Sequence, residues 1–101
     1  MKKLILVVLL VSIVRGVIAA DWPRWRGANY DDISTETGLL QSWPSTGPKR
    51  IWLSRDIGVG YSAPSISNGK LFILGTKDGG ERLFAKSVKS GKTLWTVSLN
   101  K

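Results

Sequence analysis

Neither cysteine nor histidine occurs in the 101 residues. The first absence excludes a disulfide framework, and the second leaves no imidazole for a Ser–His–Asp triad or an ordinary zinc site. Carboxylates are sparse as well, with seven Asp and Glu against fifteen Lys and Arg. The one acidic pair, Asp31-Asp32, lies in an irregular stretch, and two carboxylates alone make a poor calcium site, so it reads as a solvated turn. Glycine occurs at Gly58-Val59-Gly60-Tyr61, but no helix follows to supply a positive dipole end. The stretch is therefore a turn into a strand and not a phosphate loop. Basic residues form no run. Lys70, Lys77, Arg82, Lys86, Lys89 and Lys92 fall at turns and strand ends, the pattern of a solvated surface and not of a nucleic-acid footprint.

What the chain does have begins at its N-terminus. Met1-Lys2-Lys3 is a short positive region, and Leu4 to Val14 is an unbroken apolar run too short to span a bilayer comfortably. Small residues follow, so residues 1–20 read as a secretory signal cleaved near Ala19 or Ala20. A retained anchor is the alternative, with Arg15 snorkelling at the membrane surface. Because no cysteine follows, attachment as a lipoprotein is excluded, and an exported protein, periplasmic or extracellular, is expected. Loss of Lys2, Lys3 and Arg15 with the signal lowers the formal charge of +8 by three. Acidic cell-wall or surface polysaccharide is then the sensible anionic partner, and nucleic acid is not.

The rest of the chain is organised around Tyr61 to Leu99. Four short apolar runs there are separated by Asn68-Gly69, by Lys77-Asp78-Gly79-Gly80 and by Lys89-Ser90-Gly91, each a hairpin signal in which glycine or asparagine supplies φ > 0. The sequence predicts an all-β, four-stranded antiparallel meander. The second run, Lys70-Leu71-Phe72-Ile73-Leu74-Gly75, does not alternate, so both of its faces are expected to need cover. In the last run Thr93, Trp95, Val97 and Leu99 share one face, which predicts a half-buried outer strand. Ahead of the meander, Ile51-Trp52-Leu53-Ser54-Arg55-Asp56 is a fifth strand-like run, and residues 51–57 are expected to form a strand. Gly47-Pro48-Lys49-Arg50-Ile51-Trp52 is similar to Gly91-Lys92-Thr93-Leu94-Trp95. Trp52 and Trp95 are 43 residues apart, a period that suits a four-stranded propeller blade.

Residues 21–50 have a different texture, with Trp22, Trp25 and Trp43 among prolines and glycines and no sustained period, and they predict an irregular strap. Ser34 to Leu40 could form at most one helical turn, since Gly38 and Trp43-Pro44 keep it short. Tryptophans in such a segment are expected to anchor it against the sheet. The cluster Trp22-Pro23-Arg24-Trp25-Arg26 also admits a second reading, in which arginines beside aromatic rings take sugars or anions.

At Leu83-Phe84-Ala85-Lys86-Ser87-Val88-Lys89-Ser90-Gly91-Lys92-Thr93-Leu94-Trp95 the chain resembles the repeat of the pyrroloquinoline-quinone-type (PQQ-like) β-propellers, usually A-L-D-x-x-T-G-x-x-x-W. Ala85, Gly91 and Trp95 match. Lys86 replaces the apolar residue and Ser87 the aspartate, whose turn-capping a serine performs less strongly. Asp21-Trp22-Pro23-Arg24-Trp25-Arg26-Gly27, Glu36-Thr37-Gly38-Leu39-Leu40, Trp43-Pro44 and Gly60-Tyr61-Ser62-Ala63-Pro64 are similar to the start of secreted BamB-like or quinoprotein-like repeat proteins. The resemblance implies a seven- or eight-bladed propeller of which this chain is the N-terminal part. Residues 61–99 would then be the first full blade, residues 51–57 a strand of the closing blade, and the remaining blades of the same propeller the neighbours. It assigns Trp52, Trp95, Gly91 and Ala85 to structural docking between blades.

Two functions follow from the resemblance. One is a non-catalytic binding or assembly scaffold that holds a protein or glycan. The other is a dehydrogenase that oxidises alcohols or sugars with PQQ and calcium, its active centre outside this sequence. Within the 101 residues no catalytic residue and no metal ligand is expected, and only Tyr61 and Ser62, near the mouth of a central channel, are candidates for ligand contact. An independent small β-domain is the remaining alternative.

Overall fold

Two Asx-Gly dipeptides fix the register of the sheet. Asn68 and Gly69 both have positive φ (50° and 75°), as do Asp78 and Gly79 (54° and 76°), the signature of two-residue type I′ turns whose twist matches that of the strands they join. In the computed structural model, which describes residues 19–99, these turns link β1 (Ser65–Ser67) to β2 (Lys70–Lys77) and β2 to β3 (Gly80–Ser87). A longer turn leads to β4 (Thr93–Ser98). All neighbours are antiparallel, in the order β1-β2-β3-β4. Among the described residues the protein is therefore all-β, with one four-stranded meander and no helix. The expected signal peptide lies outside the described residues except for Ala19 and Ala20.

In the β3–β4 turn the Ser87 carbonyl accepts the Gly91 N–H at 2.7 Å, and the Ser87 N–H donates to the Lys92 carbonyl at 2.9 Å. The Ser87 hydroxyl accepts the Ser90 N–H at 3.3 Å, the weak cap expected of serine in an aspartate's place. A bulge between Ala85 and Lys86 shifts the pairing, so that Ala85 faces Trp95 and Lys86 faces Thr93.

The sheet has two unlike faces. Leu71, Ile73, Phe84 and Lys86 share one of them, and the segment 52–57 lies across it. Phe72, Leu74, Leu83, Ala85, Trp95 and Val97 share the other. Ala85 pairs with both Phe72 and Trp95, and its small side chain lets the two rings meet over it, centroids 5.9 Å apart and tilted by 49°. Their contact leaves Ala85 wholly buried. The core is short and consecutive, Phe84-Ala85-Lys86, because it is the one place where both faces of β3 are covered.

Several expectations change here. Residues 51–57 have no ladder partner among the described residues, with Trp52 and Ser54 half-buried and Ile51, Leu53 and Arg55 exposed. A strand is a pairing and not only a conformation, and the first bridge comes two residues later, where Val59 pairs with Thr76. Strand β2 is half-buried and not doubly buried, with Leu74 exposed. Strand β4 is exposed along its whole length and not half-buried, although Trp95 meets the Phe72 ring on one face and Thr93 reaches Lys86 and Asp56 on the other. The 34–40 stretch makes no helical turn; the Ser34 hydroxyl instead accepts the Glu36 N–H at 3.1 Å.

The strap is tied to the sheet at its first residues. Trp22 and Ile66 exchange two backbone hydrogen bonds (2.9 and 2.8 Å), and an Asp21 carboxylate oxygen accepts the Asn68 N–H at 3.0 Å. These contacts cover the free edge of β1 and satisfy groups that would otherwise invite another strand. At the far end of β2, Gly75 is buried beneath the segment 57–59: a Cβ there would fall 2.0 Å from the Ile57 carbonyl oxygen. Gly75→Ala is expected to lower stability by about 2 kcal/mol, because backbone must move to admit the methyl group. Gly79→Ala, open to solvent, should cost only about 1 kcal/mol for its left-handed conformation. Urea unfolding of the two variants measures the order, and equal costs would mean that 57–59 does not press on β2.

Candidate functional site

Lysine on the inward side of an apolar strand must find partners or stay in water. Lys86 finds them: its side chain is 2% exposed, and its ammonium donates to Asp56 Oδ1 at 2.7 Å, to Thr93 Oγ1 at 2.9 Å and to the Gly91 carbonyl at 3.4 Å. Thr93 closes the cluster by donating its hydroxyl to Asp56 Oδ2 at 2.9 Å, and the Ser54 hydroxyl donates to Asp56 Oδ1. Three separated parts of the chain, 54–56, 86 and 91–93, are thus joined at one ion pair.

Electrostatics here are asymmetric, since Lys86 is enclosed while the Asp56 side chain remains half exposed. The Lys86 ammonium beside it, with the hydroxyls of Ser54 and then Thr93, holds the Asp56 carboxyl well below the usual carboxylate range, against a smaller opposing effect of desolvation. Chemically the Lys86 ammonium is fully committed, its three donors directed at Asp56, Thr93 and the Gly91 carbonyl. The apolar hollow beside it, about 220 Å³ between Trp52, Leu53, Ile57, Pro64, Leu71 and Ile73, is the seam where the segment 52–57 lies on the sheet.

Trp52 completes that seam. Its indole N–H donates to the Val88 carbonyl at 2.7 Å, and its ring lies so close over Gly91 that a Cβ there would fall 2.5 Å from it. Gly91 has φ 71°, so the turn and the ring contact both favour glycine at this position. Trp95 has no such cover: it is 41% exposed on the open face. Of the four residues assigned to docking, Trp52 and Gly91 meet each other, Ala85 lies beneath the Phe72–Trp95 contact, and Trp95 faces outward.

Tyr61 and Ser62 are neighbours in a shallow hollow of about 290 Å³ with Val59, Gly60, Leu74, Gly75, Thr76 and Glu81. Tyr61 is fully exposed. The Ser62 hydroxyl accepts the Leu74 N–H and donates to the Ala63 carbonyl, both at 3.3 Å, so it extends the β1–β2 pairing. One carboxylate and a committed hydroxyl do not fit calcium, which takes six to eight oxygens. Among the described residues no group of three or more Asp or Glu is placed to hold a metal ion.

The strap's tryptophans divide. Trp22 anchors, half-buried under Gly27, while Trp25 and Trp43, expected to anchor as well, are 70% and 67% exposed. A strap tied down by backbone bridges at Trp22 does not require the other two rings for attachment. Asp31 and Asp32 form the expected solvated turn, Asp31 accepting the Ile33 N–H at 3.1 Å and Asp32 pairing with Arg26 at 2.8 Å.

Sequence reasoning missed the Lys86–Asp56 cluster. Its one signal was Lys86 itself, a charge at an inward position of Leu83-Phe84-Ala85-Lys86. The chain matches no protein-family model, no curated protein and no solved structure.

Since the Asp56 carboxyl is lowered by folding, its contribution to stability is complete above the unfolded value of about 4 and is lost as pH falls below it. Urea midpoints are expected to hold from pH 7 to 5 and drop below about pH 4, with Asp56→Asn removing part of that drop. Asp56→Ala should cost about 1–3 kcal/mol at neutral pH by leaving Lys86 buried with fewer partners, whereas Lys86→Met should stay within about 1 kcal/mol. A Lys86→Met loss larger than that of Asp56→Ala would contradict the assignment.

Proposed function

We propose that this chain belongs to an exported, non-catalytic binding or assembly scaffold of the PQQ-like, BamB-like propeller-repeat type, in which β1–β4 is one blade stacked against further sheets of its kind. The observation that carries this reading is the seating of Trp52 on Gly91, set beside the open position of Trp95. Trp52 and Trp95 end similar runs 43 residues apart. The first covers one face of the sheet, and the second stands on the opposite face with Leu74 and Val97, all exposed. A neighbouring sheet that offered a glycine turn to Trp95, as this one offers Gly91 to Trp52, would bury that face in the same way.

The scaffold reading also draws on the chemistry of the polar groups. Lys86, Asp56, Ser54, Thr93 and Ser62 hold backbone and one another, which suits a rigid support for binding loops. Export follows from the Met1-Lys2-Lys3 and Leu4–Val14 pattern.

Two measurements test the proposal. Trp52→Ala is expected to cost about 3 kcal/mol in urea unfolding, through lost contact with Gly91 and an unsatisfied Val88 carbonyl, and Trp95→Ala clearly less. Equal costs would remove the distinction between a seated and a waiting tryptophan. Titration of the full-length protein, with every blade of the proposed propeller present, with PQQ and calcium, followed by dye-linked alcohol oxidation, is expected to show no uptake and no turnover. Stoichiometric uptake with turnover would replace the scaffold by the dehydrogenase.

A further inference from the structure

The loop from Trp22 to Asp32 is wound more tightly than a passive strap requires. The Gly27 N–H donates to the Arg24 carbonyl and the Asp32 N–H to the Arg26 carbonyl, both at 3.0 Å, and the Tyr30 N–H to the Gly27 carbonyl at 3.3 Å. Arg26, Tyr30 and Asp32 all lie in the left-handed region, with φ of 67°, 57° and 60°. Side chains rarely adopt that conformation, and three instances in seven residues persist only where the surroundings hold them. Trp22 does the holding, bridged to Ile66 below and packed against Gly27 above, where a Cβ would fall 2.9 Å from its ring.

Two exposed aromatic rings of this loop each carry an arginine. The Arg24 guanidinium lies 4.9 Å from the Tyr30 ring centroid and donates to its phenol oxygen at 2.8 Å. The Arg26 guanidinium lies 5.8 Å from the Trp25 centroid and is paired with Asp32. The Asp31 carboxylate is turned back onto the Ile33 N–H. Arg24 has no carboxylate partner among the described residues, and its phenol contact uses one of five N–H donors. Trp25 and Tyr30 remain 70% and 56% exposed.

From this arrangement we infer that the 22–32 loop binds acidic oligosaccharide, a uronic-acid sugar stacking on Trp25 while its carboxylate takes the forked donors of Arg24. An exposed indole offers a flat apolar face suited to the C–H face of a pyranose, and a guanidinium matches a carboxylate bidentately where an ammonium cannot. Backbone already held in its strained form adds little ordering cost on binding. The inference deepens the binding reading by naming a ligand class and a place, and it does not depend on the stacking of blades.

The test is titration of the full chain with tetragalacturonate, followed through the indole N–H signals by NMR. Saturable binding that moves the Trp25 signal and leaves that of Trp43 in place is expected. Trp25→Ala and Arg24→Gln should each weaken it by at least about tenfold, Trp25→Phe by less, and Trp43→Ala not at all. Arg24→Lys should fail to restore wild-type affinity, and the carboxyl-reduced, neutral oligosaccharide should bind at least about tenfold more weakly. Unchanged amide spectra confirm that each variant folds. No binding, unaltered affinity in Trp25→Ala or Arg24→Gln, equal affinity for the neutral sugar, or equal affinity for polyglutamate would overturn the inference. None of these outcomes bears on PQQ uptake or on the Trp52 and Trp95 comparison.

Discussion

One face of the sheet is covered where Lys86 and Asp56 meet. An ammonium pointing inward from β3 would be costly in an apolar seam, so the seam is built to receive it: Asp56 supplies charge, while Thr93 and the Gly91 carbonyl supply the remaining acceptors. Asp56 lies 30 residues from its partner, and accepting the ammonium brings the whole 52–57 segment down on the sheet. Trp52 then reaches the β3–β4 turn, where Gly91 leaves room for the ring and the Val88 carbonyl receives its N–H. Ion pair and indole are two ends of one clamp.

The clamp makes the sheet asymmetric. On its covered face Leu71, Ile73, Phe84 and Lys86 are buried or half-buried; on the other, Leu74, Trp95 and Val97 stand exposed around the contact of Phe72 with Trp95. A lone sheet gains little by presenting such a face, whereas in a stacked series each unit covers its neighbour. The strained 22–32 loop is tied to β1 through Trp22 and Ile66.

What could be foreseen from sequence was whatever local chemistry determines. Asn68-Gly69 and Asp78-Gly79 have few alternatives to a type I′ turn, so the meander and its register were legible. Burial was not, because it depends on what lies opposite. Leu74 and Val97 are apolar and yet exposed for want of a covering element, and Lys86 is charged and yet buried because Asp56 is present. Residues 51–57 carry the composition of a strand without the partner that would make them one. Ser62 was singled out for ligand contact, but its hydroxyl holds the Leu74 N–H, an interaction no spacing rule would reveal. The tryptophans of the strap look alike in sequence, and only the bridge at Trp22 distinguishes the anchor from the exposed rings of Trp25 and Trp43.

The central claim, that Trp95 awaits the contact Trp52 already makes, is tested most directly by a tandem protein in which a second copy of residues 51–99 follows Leu99. Hydrogen exchange at the Trp95 indole N–H of the first copy reports whether it becomes covered. The account predicts that this exchange slows markedly and that the urea midpoint rises above that of the single copy, as a nearest-neighbour interface requires. A Trp95 N–H that exchanges as freely as before, with an unchanged midpoint, would contradict it.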